Sequence, residues 1–214
     1  MQYSVGILDR IICISAAIRA QLLADGVPAD KLVVIPSGVD TRRFAGVRPA
    51  PHFRRSLGIP GSHLVIGTVA ALADHKDYPT LLRAARLVLE KEPDISFVAV
   101  GDGPLHKAVT DLARELGLGK RFLSLGFREE LGCLLKVFDI FVLASKTEGL
   151  GTSVLDAQAL GLPVAACRAG GIPEIVTDRE TGLLVPPSDP PALAAALLEL
   201  ANDPELRAAL GSAA

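Results

Sequence analysis

The sequence predicts an α/β fold in which a parallel, Rossmann-like sheet is covered by helices on both faces. From residue 64 to residue 210, short apolar runs alternate with stretches whose apolar residues recur at helical spacing. Such alternation is typical of a parallel sheet with helices packed against it. The 214 residues, of which 50% are hydrophobic, allow one full domain and part of a second.

The elements of this main part follow one another in order. Strands are expected at residues 64–69, 96–100, 122–125, 140–143, 164–166 and 182–185. A helical stripe of apolar residues covers residues 78–89, and closing helices are expected at residues 192–201 and 204–210. Pro104 is expected at the first position of the helix that follows the second of these strands.

The first part of the chain is organised differently. An apolar strand is expected at residues 10–15, a helix at Ala16–Ala24 that ends at Gly26, and a second strand at residues 32–35. A stretch rich in proline and arginine, residues 36–51, then leads into the main part.

An acidic, glycine-containing turn at residues 147–151 joins an apolar run to a helix expected at residues 153–160. Gly149 and Gly151 let the backbone approach a ligand closely, and Thr152 or Ser153 is a suitable N-cap. The start of a helix offers N–H groups and a positive dipole end, which favour phosphate.

Two carboxylates flank this candidate anion site. Asp156 lies one helical turn beyond Thr152 on the same face, whereas Glu148 lies at the lip of the turn. Because carboxylates repel phosphate, the expected partners of these two residues are hydroxyls, such as those of a ribose and a hexose. Taken alone, the segment is equally compatible with ordinary capping of a helix.

Three further loops follow predicted strands. Lys76 lies between the strand at residues 64–69 and the next helix, at the kind of strand end where ligands bind, although a lone loop lysine is usually only solvated. Phe127 and Arg128 follow the strand at residues 122–125. Later in the chain, Gly170-Gly171 permits a close approach of the backbone and precedes Glu174 at a helix start. A plain turn with a capping acid explains that segment equally well.

The composition excludes several classes of function. The net charge is −2 without a long basic cluster, so nucleic acid is not an expected partner. The three cysteines and four histidines show no ligand spacing, so no metal site is expected and the cysteines are interpreted as reduced and buried. No apolar stretch reaches about 18 residues and no signal peptide is recognisable, which predicts a cytoplasmic protein that could still attach to the inner face of a membrane.

Four short segments carry a family resemblance. They are Ile-Pro-Ser-Gly-Val-Asp at residues 35–40, Ala-Leu-Gly-Leu-Pro-Val at 159–164, Gly-Gly-Ile-Pro-Glu-Ile-Val at 170–176 and Thr-Gly-Leu-Leu-Val-Pro-Pro at 181–187. With the turn at residues 147–151, they closely resemble the nucleotide-sugar half of the retaining family-4 (group 1) glycosyltransferases, which have the GT-B architecture. The first segment departs from the family's pattern, because Ser37 stands where asparagine is usual. The resemblance covers nearly the whole chain.

The resemblance implies roles for the residues of the turn. Glu148 matches a glutamate that contacts hydroxyls of the donor sugar, and Asp156 takes the place of a second glutamate that holds the ribose diol. Aspartate is shorter by one C–C bond, about 1.5 Å. The nucleotide therefore sits closer, a water bridges, or the ribose is held more weakly. Gly151, Thr152 and Ser153 match positions whose backbone N–H groups face the diphosphate.

Two other loops match positions that contact the donor in the family. Lys76 matches a lysine that neutralises the diphosphate, whereas Ala71 stands where an arginine is common. Lys76 is therefore expected to carry more of the charge, aided by His75 or Arg128. Phe127 and Arg128 lie in the loop that frames the nucleobase and are candidate base contacts.

The resemblance also implies the reaction and its partners. A hexose would pass from a nucleoside diphosphate sugar, of the UDP or GDP type, to a sugar or lipid-linked acceptor with retention of configuration and without a required metal or other cofactor. Residues 1–45 would be a remnant of the amino-terminal acceptor domain and linker, and residues 46–214 the donor-binding domain. Most of the acceptor domain would precede Met1, so we expect a fragment that binds the donor but transfers poorly or not at all.

Two alternatives and one association are also predicted. The chain could be a non-catalytic module that binds a nucleotide sugar or assembles with a partner, or a sugar-nucleotide epimerase of the same architecture. Apolar strands at residues 11–14 and 33–35, left without neighbours, favour a homodimer or an exchanged segment.

Overall fold

A parallel six-stranded sheet lies at the centre of the computed structural model, which describes residues 7–49 and 52–214. In chain order the elements are β1 (Ile11–Cys13), α1 (Ala16–Ala24), β2 (Leu32–Val34), α2 (Phe53–Ser56), β3 (Leu64–Val69), α3 (Tyr78–Leu89), β4 (Ile95–Val100), α4 (His106–Glu115), β5 (Phe122–Ser124), α5 (Leu131–Leu135), β6 (Ile140–Leu143), α6 (Thr152–Gln158), β7 (Val164–Cys167), β8 (Leu183–Val185), α7 (Pro190–Asn202) and α8 (Pro204–Ala213). The first two strands form a separate parallel pair.

The strand order of the central sheet is β5-β4-β3-β6-β7-β8, and each neighbouring pair is parallel. The chain builds outward from β3 to β5, then returns to the other side of β3 and builds outward from β6 to β8. The carboxyl ends of β3 and β6 therefore form the crevice where ligands bind in open α/β sheets. The predicted fold class is confirmed, and each of the six predicted strands is present with ends that differ by at most one residue.

Helices pack on both faces of this sheet. One face is covered by α3, α4, α7 and α8 over a core that includes Tyr78 and Phe97, and the other by α5 and α6 over a core that includes Phe141. Gly67 lies in the middle of β3, where an added Cβ would be 2.2 Å from the ring of Phe138. A side chain at this position would displace the ring from the core, so the strand requires glycine here.

The turn before α4 differs from the prediction. Pro104 lies in a turn, and the helix begins two residues later, at His106. The N–H of Leu105 donates to the carbonyl oxygen of Leu72 at 3.0 Å. An added Cβ on Gly103 would lie 2.6 Å from the same oxygen. These two contacts hold the turn against the loop after β3.

A buried aspartate fixes the start of α3. Asp77 has a left-handed backbone, with φ of 47°. Its carboxylate accepts hydrogen bonds from the hydroxyls of Thr80 at 2.8 Å and of Ser188 at 3.0 Å. Because Ser188 precedes α7, Asp77 joins the loops before two helices and holds the neighbouring Lys76 at the crevice.

The amino-terminal strands and α1 form a small unit. Cys13, Val27 and Leu32 pack beneath α1, whereas Ile12 and Val33 are exposed to 62% and 38% on the other side of the strand pair. The predicted homodimer through these strands stays a prediction. The predicted division into two domains after residue 45 also stays a prediction. Residues 1–6 of the first of these domains lie outside the described residues.

Residues 40–47, which we call the linker arm, pack against α5. Phe44 is buried in the core that α5 covers, and an added Cβ on Gly132 would lie 3.3 Å from the side chain of Val47. The Lys136 ammonium donates to the carbonyl oxygen of Val47. The linker arm is therefore held to the central sheet's domain. The end of the predicted proline- and arginine-rich stretch, residues 50–51, lies outside the described residues.

The structure bears on the predictions made from composition. None of the helices formed by residues 7–49 and 52–214 has the length and apolar character needed to span a bilayer. The three cysteines are unpaired, and Cys13 and Cys167 are buried as predicted, whereas Cys133 is only half-buried. Burial, with a smaller contribution from nearby Asp77, raises the pKa of Cys167 to about 12, so this thiol is protonated at neutral pH and unreactive.

His63 is buried at the amino end of β3, whereas the crevice lies at the carboxyl ends of the strands. Its Nδ1 lies 2.8 Å from the hydroxyl of Ser96, and the Arg121 guanidinium contacts the ring. Burial and, to a lesser degree, the charge of Arg121 lower the pKa of His63, while Asp94 opposes this shift. The folded state therefore favours the neutral ring.

We expect the chain to lose stability as the pH falls below about 6.5, the ordinary pKa of histidine. Below that pH the unfolded chain binds a proton at His63 that the folded chain rejects, so the free energy of unfolding decreases. Urea unfolding at pH 7.5 and 5.5 measures this dependence. His63→Gln should flatten it, whereas His106→Gln, on the exposed first residue of α4, should not. Equal pH dependence in His63→Gln and the unaltered chain would contradict the prediction.

Candidate functional site

The crevice at the carboxyl ends of β3 and β6 is built from two loops that contact each other. After β3 the chain forms the 3₁₀ turn Asp74–Lys76, and after β6 it forms the loop that leads to α6. The N–H of Lys146 donates to the carbonyl oxygen of His75 at 2.8 Å. This bond fixes the distance between the two loops and brings together the site residues that the sequence places on them.

Lys76 and Glu148 form an ion pair across the crevice. The Lys76 ammonium contacts Oε1 of Glu148, and the hydroxyl of Ser145 donates to the same oxygen at 2.7 Å. The side chains of Lys76 and Glu148 are only 16% and 8% exposed. The structure thus joins two residues that lie 72 positions apart in the chain. A shielded ammonium with further N–H donors is suited to hold an anion at this place.

The Gly170-Gly171 turn packs against the backbone of the Glu148 loop. The N–H of Gly171 donates to the carbonyl oxygen of Glu148 at 3.1 Å. An added Cβ on Gly170 would lie 1.9 Å from that oxygen, and one on Gly171 would lie 2.3 Å from the carbonyl oxygen of Gly149. Of the two readings that the sequence leaves open, the structure supports the close approach. The partner in that approach is the loop that carries Glu148.

The helix that follows the loop begins at a glycine. Gly151 is the N-cap of α6, with φ of 90°, so the prediction that Thr152 or Ser153 is the N-cap is wrong. An added Cβ on Gly151 would lie 2.4 Å from the side chain of Ile172. The left-handed glycine turns the chain beneath Ile172 and places Thr152 already inside the helix. No described side chain bonds to the N–H groups of Thr152 or Ser153, so both can donate to an anion.

Asp156 forms a second ion pair, which the sequence did not predict. Its buried carboxylate contacts Nη2 of Arg43, from the linker arm, and the two side chains are 10% and 45% exposed. The guanidinium also lies 4.6 Å from the centre of the Phe44 ring. Arg43 precedes Asp156 by 113 positions. The only hint in the sequence is that this arginine closely follows the family-like segment at residues 35–40.

Phe127 and Arg128 lie on the loop after β5. Phe127 is 73% exposed. Arg128 pairs with Glu130, with Nε at 2.9 Å from the carboxylate, and this ion pair lowers the pKa of Glu130. Arg128 is therefore occupied by its own loop, and the structure does not place it against Lys76, which it was expected to aid.

Two neighbouring cavities open beside this loop. The larger, of about 630 Å³, is lined by Arg43, Phe44, Val47 and residues 127–133. The smaller, of about 280 Å³, is lined by residues 69–71, 100–102, 127, 128 and 131. They share the side chains of residues 127, 128 and 131, and Ala71 lines the smaller one together with Arg128. Neither cavity is lined by the Lys76–Glu148 pair.

Glu174 joins the amino-terminal unit to the site. Its carboxylate accepts hydrogen bonds from the N–H groups of Ala16 at 2.8 Å and Ala17 at 2.9 Å, at the start of α1. An added Cβ on Gly149 would lie 2.7 Å from the side chain of Ile14. Glu174 thus caps α1, which begins 157 residues earlier in the chain. It also holds the β1–α1 loop over the Glu148 loop.

Two family descriptions match the sequence. Residues 50–214 match the family described as Glycosyl transferases group 1, and residues 1–43 match the family described as Glycosyltransferase Family 4.

Among similar proteins, a GDP-mannose-dependent monoacylated alpha-(1-6)-phosphatidylinositol monomannoside mannosyltransferase of Corynebacterium glutamicum is 36% identical over 188 residues, which cover 84% of this chain and 49% of that protein. A D-inositol 3-phosphate glycosyltransferase of Corynebacterium urealyticum is 37% identical over 191 residues, covering 84% of this chain and 45% of that protein. The chain therefore spans about half the length of these relatives.

Solved structures share the fold. Anabaena HepE, crystallised in complex with UDP and glucose, superposes with a TM-score of 0.87 and 26% identity, covering 96% of this chain and 56% of HepE. The C-terminal domain of LpcC, a glycosyl transferase group 1 family protein of Francisella tularensis, superposes with a TM-score of 0.72 and 32% identity, covering 82% of this chain and 94% of that domain.

We expect Gly170→Ala to lower the free energy of unfolding by about 1–3 kcal/mol, the usual cost of forcing an atom into a packed site. The added methyl would meet the Glu148 carbonyl oxygen, and the backbone at Gly170 is left-handed, with φ of 51°. Urea unfolding provides the measurement. Gly61→Ala is the matched control, because an added Cβ there meets nothing within 4 Å. Equal stability of the two variants would show that the close approach is relaxed in solution.

Proposed function

Because the chain belongs to the group 1, family-4 glycosyltransferases and forms the carboxyl-terminal half of their GT-B fold, we propose that it binds the nucleoside diphosphate sugar from which these enzymes transfer a hexose. The observation that carries the proposal is the shielded Lys76–Glu148 pair beside the start of α6. Transfer to an acceptor, with retention of configuration, is proposed for the whole protein, as the chain spans about half the length of its relatives.

The diphosphate would lie between Lys76 and the first turn of α6. An ammonium has three N–H donors, and its bond to Glu148 leaves two for phosphate oxygens. The N–H groups of Thr152 and Ser153, with the positive end of the helix dipole, supply further donors. Positive charge placed in advance at the departing diphosphate lowers the energy of the transition state, because negative charge develops there as the glycosidic bond breaks.

The carboxylates would position the two sugars of the donor. Both described bonds to the Glu148 side chain, from Lys76 and Ser145, are made to Oε1. Oε2 can therefore accept from hydroxyls of the hexose, which would face the lip of the crevice. Asp156 lies one helical turn deeper and would accept from the ribose diol. The nucleobase would then lie towards the loop of Phe127 and Arg128, whose backbone and side chains border both cavities.

The similar proteins support a nucleotide-sugar donor but differ in its base. HepE was crystallised with UDP and with UDP-glucose, whereas the mannosyltransferase of Corynebacterium glutamicum is named as GDP-mannose-dependent. The donor of this chain is therefore proposed as a UDP or GDP sugar.

A second candidate is a module that binds a nucleotide sugar without transferring it. Ala71 favours this reading, since it lines the smaller cavity where the family commonly has a cation. The two proposals agree on donor binding and differ in turnover. Release of free nucleotide in the presence of acceptor, measured on the protein joined to an acceptor half, separates them.

We expect one of UDP, GDP and ADP to bind the chain in calorimetry, and Lys76→Ala to weaken that binding about tenfold to a hundredfold. This range corresponds to the loss of charge-assisted hydrogen bonds worth about 1.5–3 kcal/mol. A nucleotide that binds only the folded chain should also raise its stability by about 2.7 kcal/mol at a hundredfold excess over Kd.

Lys146→Ala is the matched control for this experiment. Lys146 lies on the same loop as Glu148, but its ammonium is turned outward, at 3.4 Å from a carboxylate oxygen of Asp74. Its side chain is 40% exposed. The Kd of this control for the nucleotide should lie within about twofold of that of the unaltered chain. Absence of binding by every nucleotide, or equal binding by Lys76→Ala, would overturn the proposed function.

A further inference from the structure

The linker arm supplies a cation to the buried carboxylate of Asp156. The two side chains differ in exposure, with Asp156 at 10% and Arg43 at 45%. Arg43 also lines the cavity of about 630 Å³ that reaches the loop of Phe127 and Arg128. One member of the ion pair, Arg43, therefore lies at the wall of this cavity, and the other, Asp156, lies on the helix whose start is proposed to hold the diphosphate.

The linker arm is rigid enough to position Arg43. The Asp40 carboxylate accepts from the N–H of Arg42 at 3.0 Å and so begins the 3₁₀ turn that carries Arg43. Phe44 is buried in the core, and its ring lies against the Arg43 guanidinium, which restricts the rotamers of that side chain. At the far end Val47 is bound by Lys136. Phe44 and Val47 thus hold the far side of the turn to the domain, and Asp40 caps its start.

We infer that Arg43 is a positioning residue of the donor site, which holds the Asp156 carboxylate in the orientation that accepts the ribose diol. This inference rests on the proposed function. Arg43 bonds to Oδ1 of Asp156, so Oδ2 and its lone pairs can accept from ribose hydroxyls. A carboxylate oxygen makes stronger hydrogen bonds to hydroxyls than a neutral acceptor does.

A purely structural role for Arg43 makes a different prediction. If the ion pair only attached the linker arm to α6, its loss would loosen the site for every nucleotide alike. If Arg43 acts through Asp156 on the ribose, its loss matters only for a ligand that has the diol. A nucleotide and its 2′,3′-dideoxy form, which share base and phosphates, distinguish these two cases.

The experiment is a calorimetric titration of the unaltered chain and Arg43→Ala with whichever of UDP and GDP binds, and with the 2′,3′-dideoxy form of the same nucleotide. We expect Arg43→Ala to weaken binding of the ribonucleotide about tenfold, the value of one charge-assisted hydrogen bond. Binding of the dideoxy form should change by less than about twofold. Equal weakening of both ligands, or of neither, would overturn the inference.

Arg42→Ala is the matched control. Arg42 is the neighbouring arginine on the linker arm, its side chain is 89% exposed, and it pairs with Asp40 rather than Asp156. The Arg42→Ala variant should bind both ligands with the same affinity as the unaltered chain. If Arg43→Ala does not fold, as judged by circular dichroism and urea unfolding, Arg43→Gln replaces it, with the same expected difference between ligands.

Failure of this inference is distinct from failure of the proposed function. If the unaltered chain binds neither UDP nor GDP, the donor site itself is refuted. If it binds a nucleotide but Arg43→Ala shows no dependence on the diol, the donor site stands and only the role of Arg43 is wrong.

A double-mutant cycle tests whether Arg43 acts through Asp156. Once Asp156→Asn is present, Arg43→Ala should have no further effect on the affinity for the ribonucleotide.

Discussion

The close approach of two backbones, the Glu148 loop and the Gly170-Gly171 turn, is the contact on which the rest of the site depends. A carbonyl oxygen that would lie 1.9 Å from an added Cβ leaves space for hydrogen only. This approach fixes the path of the loop, and with it the position of Glu148 and the left-handed Gly151 that begins α6. Because both sides of the contact are main chain, no change of side-chain rotamer could relieve the clash that a larger residue would cause.

Electrostatic pairing is the second constraint on the site. Lys76 pairs with Glu148 and Arg43 pairs with Asp156, and three of these four side chains are no more than 16% exposed. An unpaired charge at such positions would be costly, because burial removes its hydration. Each carboxylate is held in place by its cation, and each cation retains unused donors.

The amino-terminal unit and the linker arm take part in this arrangement. Glu174 caps α1 through two hydrogen bonds, and Ile14 lies against Gly149. The linker arm brings Arg43 to Asp156. Segments that the sequence assigned to a remnant of another domain therefore contact the loops of the candidate site directly. The placement of the amino-terminal unit is physically connected to the candidate site, since Ile14 lies against the loop that carries Glu148.

Local patterns in the sequence are enough to predict the sheet and the loops that carry the site. Continuous apolar runs and helical stripes are local patterns, so six strands and α3 could be predicted, and with them the positions of Lys76 and Glu148 at neighbouring strand ends. The N-cap of α6, the start of α4 and the partners of Asp156 and Glu174 could not be predicted in this way. Those features depend on contacts between segments far apart in the chain. No local pattern records such contacts, because the topology of the sheet decides which segments meet.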